Sequence, residues 1–162
     1  MPLSHRGRMM GGGELSGGGG PLGYSKYKFK VLAVQGGPSH TNVAFAEIEL
    51  RETIGGADVT GSGTATASGD IGASYAAPYA VDNNATTMWN CGTGGFTDLW
   101  WAYDFGINKI ILEYTIQTRA SYLDDSPTSW EIYGWNGTAY ELIKSQTTPA
   151  TWTASEIRTF TI

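Results

Sequence analysis

An all-β sandwich is the fold class this sequence predicts, and three observations carry it. Apolar and polar residues alternate with period two in several short runs, clusters of Gly, Pro, Asn and Asp separate those runs, and no segment sustains a helical period. Aromatic residues make up 12% of the 162 residues, which suits a core closed between two sheets.

The elements follow in chain order. Residues 1–23 hold nine glycines and few apolar side chains, so they cannot offset their own ordering entropy and read as a Gly-rich arm. The sandwich domain is expected over 24–162. Its first strand is "KYKFKV", where Lys26, Lys28 and Lys30 alternate with Tyr27, Phe29 and Val31. Further strands are expected at 43–51, 99–105, 130–135, 139–145 and 156–162. "ILEYTIQT" sets Leu112, Tyr114 and Ile116 against Glu113, Thr115 and Gln117, predicting one apolar and one polar face. Turn chemistry marks "GGPSHTN", "LDDSPTS" and "WNGT".

Charge and composition limit the function. The formal net charge is −5 with ten Lys and Arg, spread along the chain with no basic stripe of the kind that holds nucleic acid. No apolar run approaches the roughly 18 residues that cross a bilayer, and "MPLSHRGRMM" lacks the apolar core of a secretory signal. A lone cysteine, Cys91, excludes an internal disulfide and fits synthesis in a reducing cytosol. The glycine runs of the arm lack the Gly-Lys-Ser/Thr of a P-loop.

Chemistry-bearing residues are sparse. His5 lies in the arm and His40 in an expected loop, so no His-paired nucleophile stands out and no enzyme is expected. Asp124 and Asp125 read as turn formers ahead of Pro127, and the sequons at Asn84 and Asn136 likewise as turn residues.

Three blocks remain: "YAVDNNATTMW" at 79–89, "LWWAYDFG" ending at Gly106, and "SPTSWEIYGWNGTAYELI" at 126–143. In order and spacing they resemble the discoidin-like, or coagulation factor five/eight type C, domain over roughly residues 27–162. The resemblance implies an eight-stranded jelly-roll sandwich of the galactose-binding type. The family's usual Ser-Asn-Asp-Gly turn is replaced by "GWNGT", with Asn136-Gly137 keeping the hairpin signal.

Against that family the segment order is reversed. A strand like "YKFKVLAV" and one like "AEIEL" would normally close the domain after a strand like "EIRTFTI", yet here they come first, at 27–51. This looks like a circular permutant joined through residues 51–69, with strand 27–34 expected beside strand 156–162. Strand exchange with a neighbouring copy is the rival expectation. The resemblance further implies that Glu47, Asp82 and Thr87 surround a structural calcium ion, whose taste for hard oxygen ligands suits an Asp-, Asn- and Thr-rich loop. Trp89 is expected in the core beneath that loop. Glycan-binding members use end loops with an aromatic ring and Arg, His or Asn; here those positions are His40, Asn42, Arg119 and Tyr122. Permuted domains of this kind look like those on bacteriophage structural proteins. The expected function is therefore a virion component, decorating head or tail and made in the host cytoplasm, within a homo-oligomer or larger assembly. Its arm would dock on another protein chain through Leu3, Met9, Met10, Leu15 and Leu22. A module that binds host-surface glycans is the alternative.

Overall fold

The computed structural model describes residues 22–92, 98–148 and 151–162. Ten strands run through them: β1 (Tyr24–Val34), β2 (Asn42–Phe45), β3 (Glu47–Arg51), β4 (Thr64–Ala67), β5 (Trp89–Gly92), β6 (Leu99–Lys109), β7 (Glu113–Gln117), β8 (Pro127–Trp135), β9 (Tyr140–Thr147) and β10 (Ile157–Thr161). The only helical pieces among the described residues are three short 3-10 turns, at 73–75, 77–80 and 123–125. An antiparallel five-stranded sheet in the order β4-β6-β1-β8-β9 faces a three-stranded sheet, β10-β7-β3, and the β2-β5 pair extends the second layer.

The period-two pattern of β1 works as its sequence requires. Tyr27, Phe29 and Val31 are buried, while Lys28 turns outward with its ammonium over the rings of Tyr133 and Tyr140. Between the layers, Phe29 meets Tyr114 at 5.1 Å, Phe45 meets Trp101 at 6.0 Å and Trp130 meets Phe160 at 5.1 Å between ring centroids. Trp130 donates its indole N–H to the Tyr114 hydroxyl at 2.9 Å, so the one polar atom each ring carries inward is satisfied. Trp89 is fully buried, as expected. The Asn136-Gly137 hairpin is present: Asn136 Oδ1 accepts from the N–H groups of Thr138 and Ala139, and Gly137 takes φ +100°. At the other sequon Asn84 Oδ1 accepts from Thr86 N–H at 3.2 Å.

Three expectations are corrected. Strand 27–34 does not lie beside 156–162; β1 pairs with β6 and β8, whereas β10 pairs with β7. Each strand is drawn to the sheet its apolar residues complete. β1 brings Tyr27, Phe29 and Val31 to the middle of the larger sheet, while β10 has only Phe160 to add at an edge. Next, β7 has no solvated polar face: Glu113 and Thr115 are 4% and 3% exposed. Arg51 and the backbone N–H of Gly55 bond Glu113 from above at 2.8 and 3.0 Å, so the loop after β3 covers it. Finally, residues 51–69 are more than a connector, because Thr64–Ala67 form edge strand β4 against β6. Asp58 organises the stretch before it, accepting from Leu50 N–H at 3.1 Å and from Thr60 N–H at 3.0 Å.

Candidate functional site

The loops leaving β1 and β7 reach the same end of the sandwich, and they bring three of the four expected ligand residues together. The partner that unites them is Asp125, whose carboxylate is almost wholly buried. His40 Nε2 lies 2.7 Å from its Oδ1, Arg119 donates to its Oδ2 at 2.7 Å, and Asn90 Nδ2 approaches Oδ2 at 3.4 Å. Both oxygens of a buried carboxylate are thus met, one by an imidazole and the other by a guanidinium and an amide, the polar partners a desolvated carboxylate requires. Backbone bonds hold the two loops in register: Gln35 N–H to Ser126 O and Gly36 N–H to Asp124 O, each 2.9 Å. Gly36 is glycine for a steric reason, since a Cβ there would stand 2.7 Å from the His40 ring.

Tyr122 sits above this network. Its ring is 74% exposed and the Arg119 guanidinium rests against it at 4.8 Å. Its backbone is left-handed, φ 55° and ψ 53°, a conformation that bulky L-residues rarely adopt. Within the same loops Asn90 Oδ1, Arg119 Nε and Ser126 Oγ are buried without a hydrogen-bond partner among the described residues. Asn42 stands apart: it pairs with Gly92 across β2 and β5 and makes no hydrogen bond to the network. Sequence reasoning took Asp125 for a turn former, which it also is, within the 3-10 turn 123–125. Nothing local marks it out as the hub; its partners come from residue 40, residue 90 and residue 119.

The expected cation ligands also converge. Glu47, at the start of β3, is 9% exposed and therefore not a solvent-facing strand residue. Its Oε1 accepts the Asn84 N–H at 2.7 Å, and Asp82 Oδ1 accepts the same N–H at 3.0 Å, so two carboxylates crowd one donor. Thr87 Oγ1 lies 2.8 and 2.9 Å from the two Asp82 oxygens and 2.7 Å from Asn84 O. Burial first, and then the neighbouring Asp82, push the Glu47 carboxyl up to about 7. Beside the pair opens a cleft of about 150 Å³ bordered by Glu49, Asn83, Thr115 and Gln117. The donor set is oxygen throughout, and among the described residues no cationic side chain pairs with either carboxylate, which fits a hard divalent cation. Among the described residues no three His, Cys, Asp or Glu side chains converge, so two carboxylates would have to be joined by hydroxyl, carbonyl or water oxygens.

A sequence profile of the F5/8 type C domain matches residues 64–162, more than half of the chain. The chain belongs to the F5/8 type C domain family. Nothing among curated proteins or solved structures matches it. The matched segment begins at β4 and runs to the end of β10, and residues 24–51 add β1, β2 and β3 to the same sandwich from outside it. The discoidin-like match agrees with the resemblance read from 79–143. Of the expected partner-binding residues, Leu3, Met9, Met10 and Leu15 lie outside the described residues, while Leu22 is 67% exposed.

Proposed function

We propose that this discoidin-like domain is a non-enzymatic binding module whose Tyr122 loop end takes a carbohydrate. The observation that carries the reading is Tyr122 itself: an aromatic ring held out in solvent on a left-handed backbone, steadied from below by Arg119. An exposed ring on a strained backbone is costly unless a ligand uses it. A sugar offers an apolar C–H face to the ring and hydroxyls to the polar groups around it, here His40 and Arg119. Calorimetric titration of the intact protein with a panel of mono- and oligosaccharides tests the proposal. Binding that falls at least about tenfold in Tyr122→Ala, about 1.4 kcal/mol, supports it; no saturable binding by any sugar, or binding that the substitution leaves alone, overturns it.

A calcium ion at Glu47, Asp82 and Thr87 belongs to the same reading. Its role there is structural: it would neutralise two crowded carboxylates and hold the 82–87 loop over Trp89. The chain's own residues supply the rest of the order, through Asn84 N–H and the Thr87 hydroxyl.

A second reading places the module on a bacteriophage virion, made in the host cytoplasm and anchored to other chains through its arm. What supports it is the order of segments, with β1–β3 ahead of the family-matched region as in a permuted domain, and the composition of residues 1–23. Leu22 and Ile162 border one groove, so the chain ends of the sandwich lie close enough to have been joined in an unpermuted relative. Deleting residues 2–21 and measuring incorporation into assembled particles tests the anchor; normal incorporation would refute it.

A further inference from the structure

The turn that joins β8 to β9 carries the one Asn-Gly pair of the sequence, Asn136-Gly137; the other five asparagines precede Val, Asn, Ala, Cys or Lys. Residues 136–139 are all exposed. An asparagine side chain is open to attack at its carbonyl carbon by the backbone nitrogen of the next residue, and a glycine there, lacking Cβ, leaves the approach clear. A Cβ on Gly137 would meet nothing within 4 Å, so the backbone has room to turn toward the side chain.

The folded hairpin adds three features to that motif. Asn136 Oδ1 accepts from the N–H groups of Thr138 and Ala139, each at 2.9 Å. Two backbone donors on one carbonyl oxygen are the arrangement that stabilises an oxyanion when the attached carbon is attacked. Asn136 Nδ2 donates to Glu141 Oε1, which fixes the oxygen, and not the nitrogen, toward those donors. Among the described residues nothing accepts from the Gly137 N–H, so its attack breaks no hydrogen bond.

We propose that Asn136 is a site of self-modification, deamidating through a cyclic imide inside the folded hairpin. The Gly137 nitrogen loses its proton to solvent base and bonds to Asn136 Cγ. The oxyanion that forms is held by the Thr138 and Ala139 N–H groups. The Cγ–Nδ2 bond then breaks, and the nitrogen takes a proton from water and leaves as ammonia. Water opens the imide at either carbonyl, giving aspartate or isoaspartate, so one water is consumed and one ammonia released with no change of oxidation state. Asn84 supplies the contrast: its Oδ1 also accepts two bonds, from the Thr86 N–H at 3.2 Å and hydroxyl at 2.7 Å, but Ala85 follows it and crowds the attacking nitrogen with a Cβ.

The product changes its surroundings. A carboxylate replaces the amide that donated to Glu141, setting like charges side by side, and isoaspartate lengthens the backbone by one carbon. Both loosen the turn at the mouth of a cleft of about 280 Å³ bordered by Leu22, Tyr24, Trp135 and Glu141. The inference rests on neither sugar nor calcium binding.

The test holds the full-length protein, folded, at mildly alkaline pH and follows fragment 120–144 by mass spectrometry, with aspartate and isoaspartate separated. Asn136 is the only side-chain amide in that fragment. A free peptide of the same sequence, without the fixed donors, is the comparator. One donor is worth about 10²–10³ in rate in a water-excluded site; on a solvated turn the pair should give about tenfold over the peptide. Both isomers are expected, and Gly137→Ala should slow their appearance. Conversion no faster in the folded protein than in the peptide overturns the proposal, and so does conversion undiminished by Gly137→Ala. The comparison with the peptide needs no substitution, so it decides the matter even where the variant's hairpin fails to form.

Discussion

Two carboxylates, Asp125 and Glu47, are both largely withdrawn from water, and they are treated in opposite ways. Asp125 has a guanidinium at 2.7 Å on one oxygen and an imidazole at 2.7 Å on the other. Glu47 has one backbone N–H at 2.7 Å and shares it with a second carboxylate, Asp82. The first region compensates its buried charge from within the chain. The second accumulates negative charge and leaves its compensation to a proton or a cation. A buried anion must be neutralised somehow, so the difference separates a self-contained scaffold for Tyr122 from a loop whose order is open to an ion.

The largest effect should come from removing the hub of the self-contained region. Asp125→Ala would strand Arg119 and the His40 ring without their partner and should cost about 3–5 kcal/mol, the usual penalty for breaking a buried pair. Urea denaturation measures it, and a loss under about 1 kcal/mol would show that the pairing is not what holds the loops.

Next in size is calcium. At a hundredfold excess over its dissociation constant the ion should add about 2.7 kcal/mol, seen as a higher melting temperature that chelator removes and Asp82→Ala abolishes. Glu47→Gln sharpens the contrast, since it should leave the calcium-free protein as stable as before or more so, by relieving the carboxylate pair, and erase the gain from calcium. Equal melting curves with and without chelator would remove the distinction between the two regions.

Glu156 offers a compensated carboxylate that is only half-buried, with Arg158 donating to it at 2.7 and 3.0 Å. The Arg158 guanidinium and the Thr153 N–H hold its carboxyl down to about 2, from an ordinary 4.5. A lowered carboxyl stabilises the fold above the unfolded value, and that contribution fades as pH falls from about 4.5 through 2. Because the pair is solvated the fade should be small. Comparing the acid titration of stability with that of Glu156→Gln checks it; identical curves would mean that the pair contributes nothing.

The smallest stability effect should be that of Tyr122→Ala, within about 0.5 kcal/mol, since the side chain buries little. Thermal melting checks this alongside the loss of sugar binding described above. A large destabilisation would make Tyr122 part of the scaffold, not of the ligand surface.

The candidate sites differ in how far the chain revealed them. Glu47 could be paired with Asp82 and Thr87 only through resemblance to a family, because 35 residues separate the first two in the sequence. His40, Arg119 and Tyr122 were reachable as loop residues of the right chemistry. Asn42 had equal standing on those grounds, yet it joins β2 and stays outside the network. Asp125 escaped notice because a carboxylate before Ser-Pro looks like any turn residue until His40 and Asn90, far off in the chain, close on it together with Arg119.

By itself the sequence determined the all-β class, most strand positions, the outward lysines of β1 and the Asn136-Gly137 hairpin. Each of these follows from local rules, the two-residue period of a strand and the dihedral demands of a turn. Tertiary structure alone decided that β1 lies between β6 and β8, that β10 joins β7, and that Glu113 and Thr115 are covered on what looked like a wet face. It also decided that Thr64–Ala67 becomes an edge strand and that Asp125 becomes a hub. The physical reason is common to all of them: partner choice between strands and the satisfaction of a buried charge depend on groups far apart in the chain, and the energy that selects among them exists only once the layers have closed.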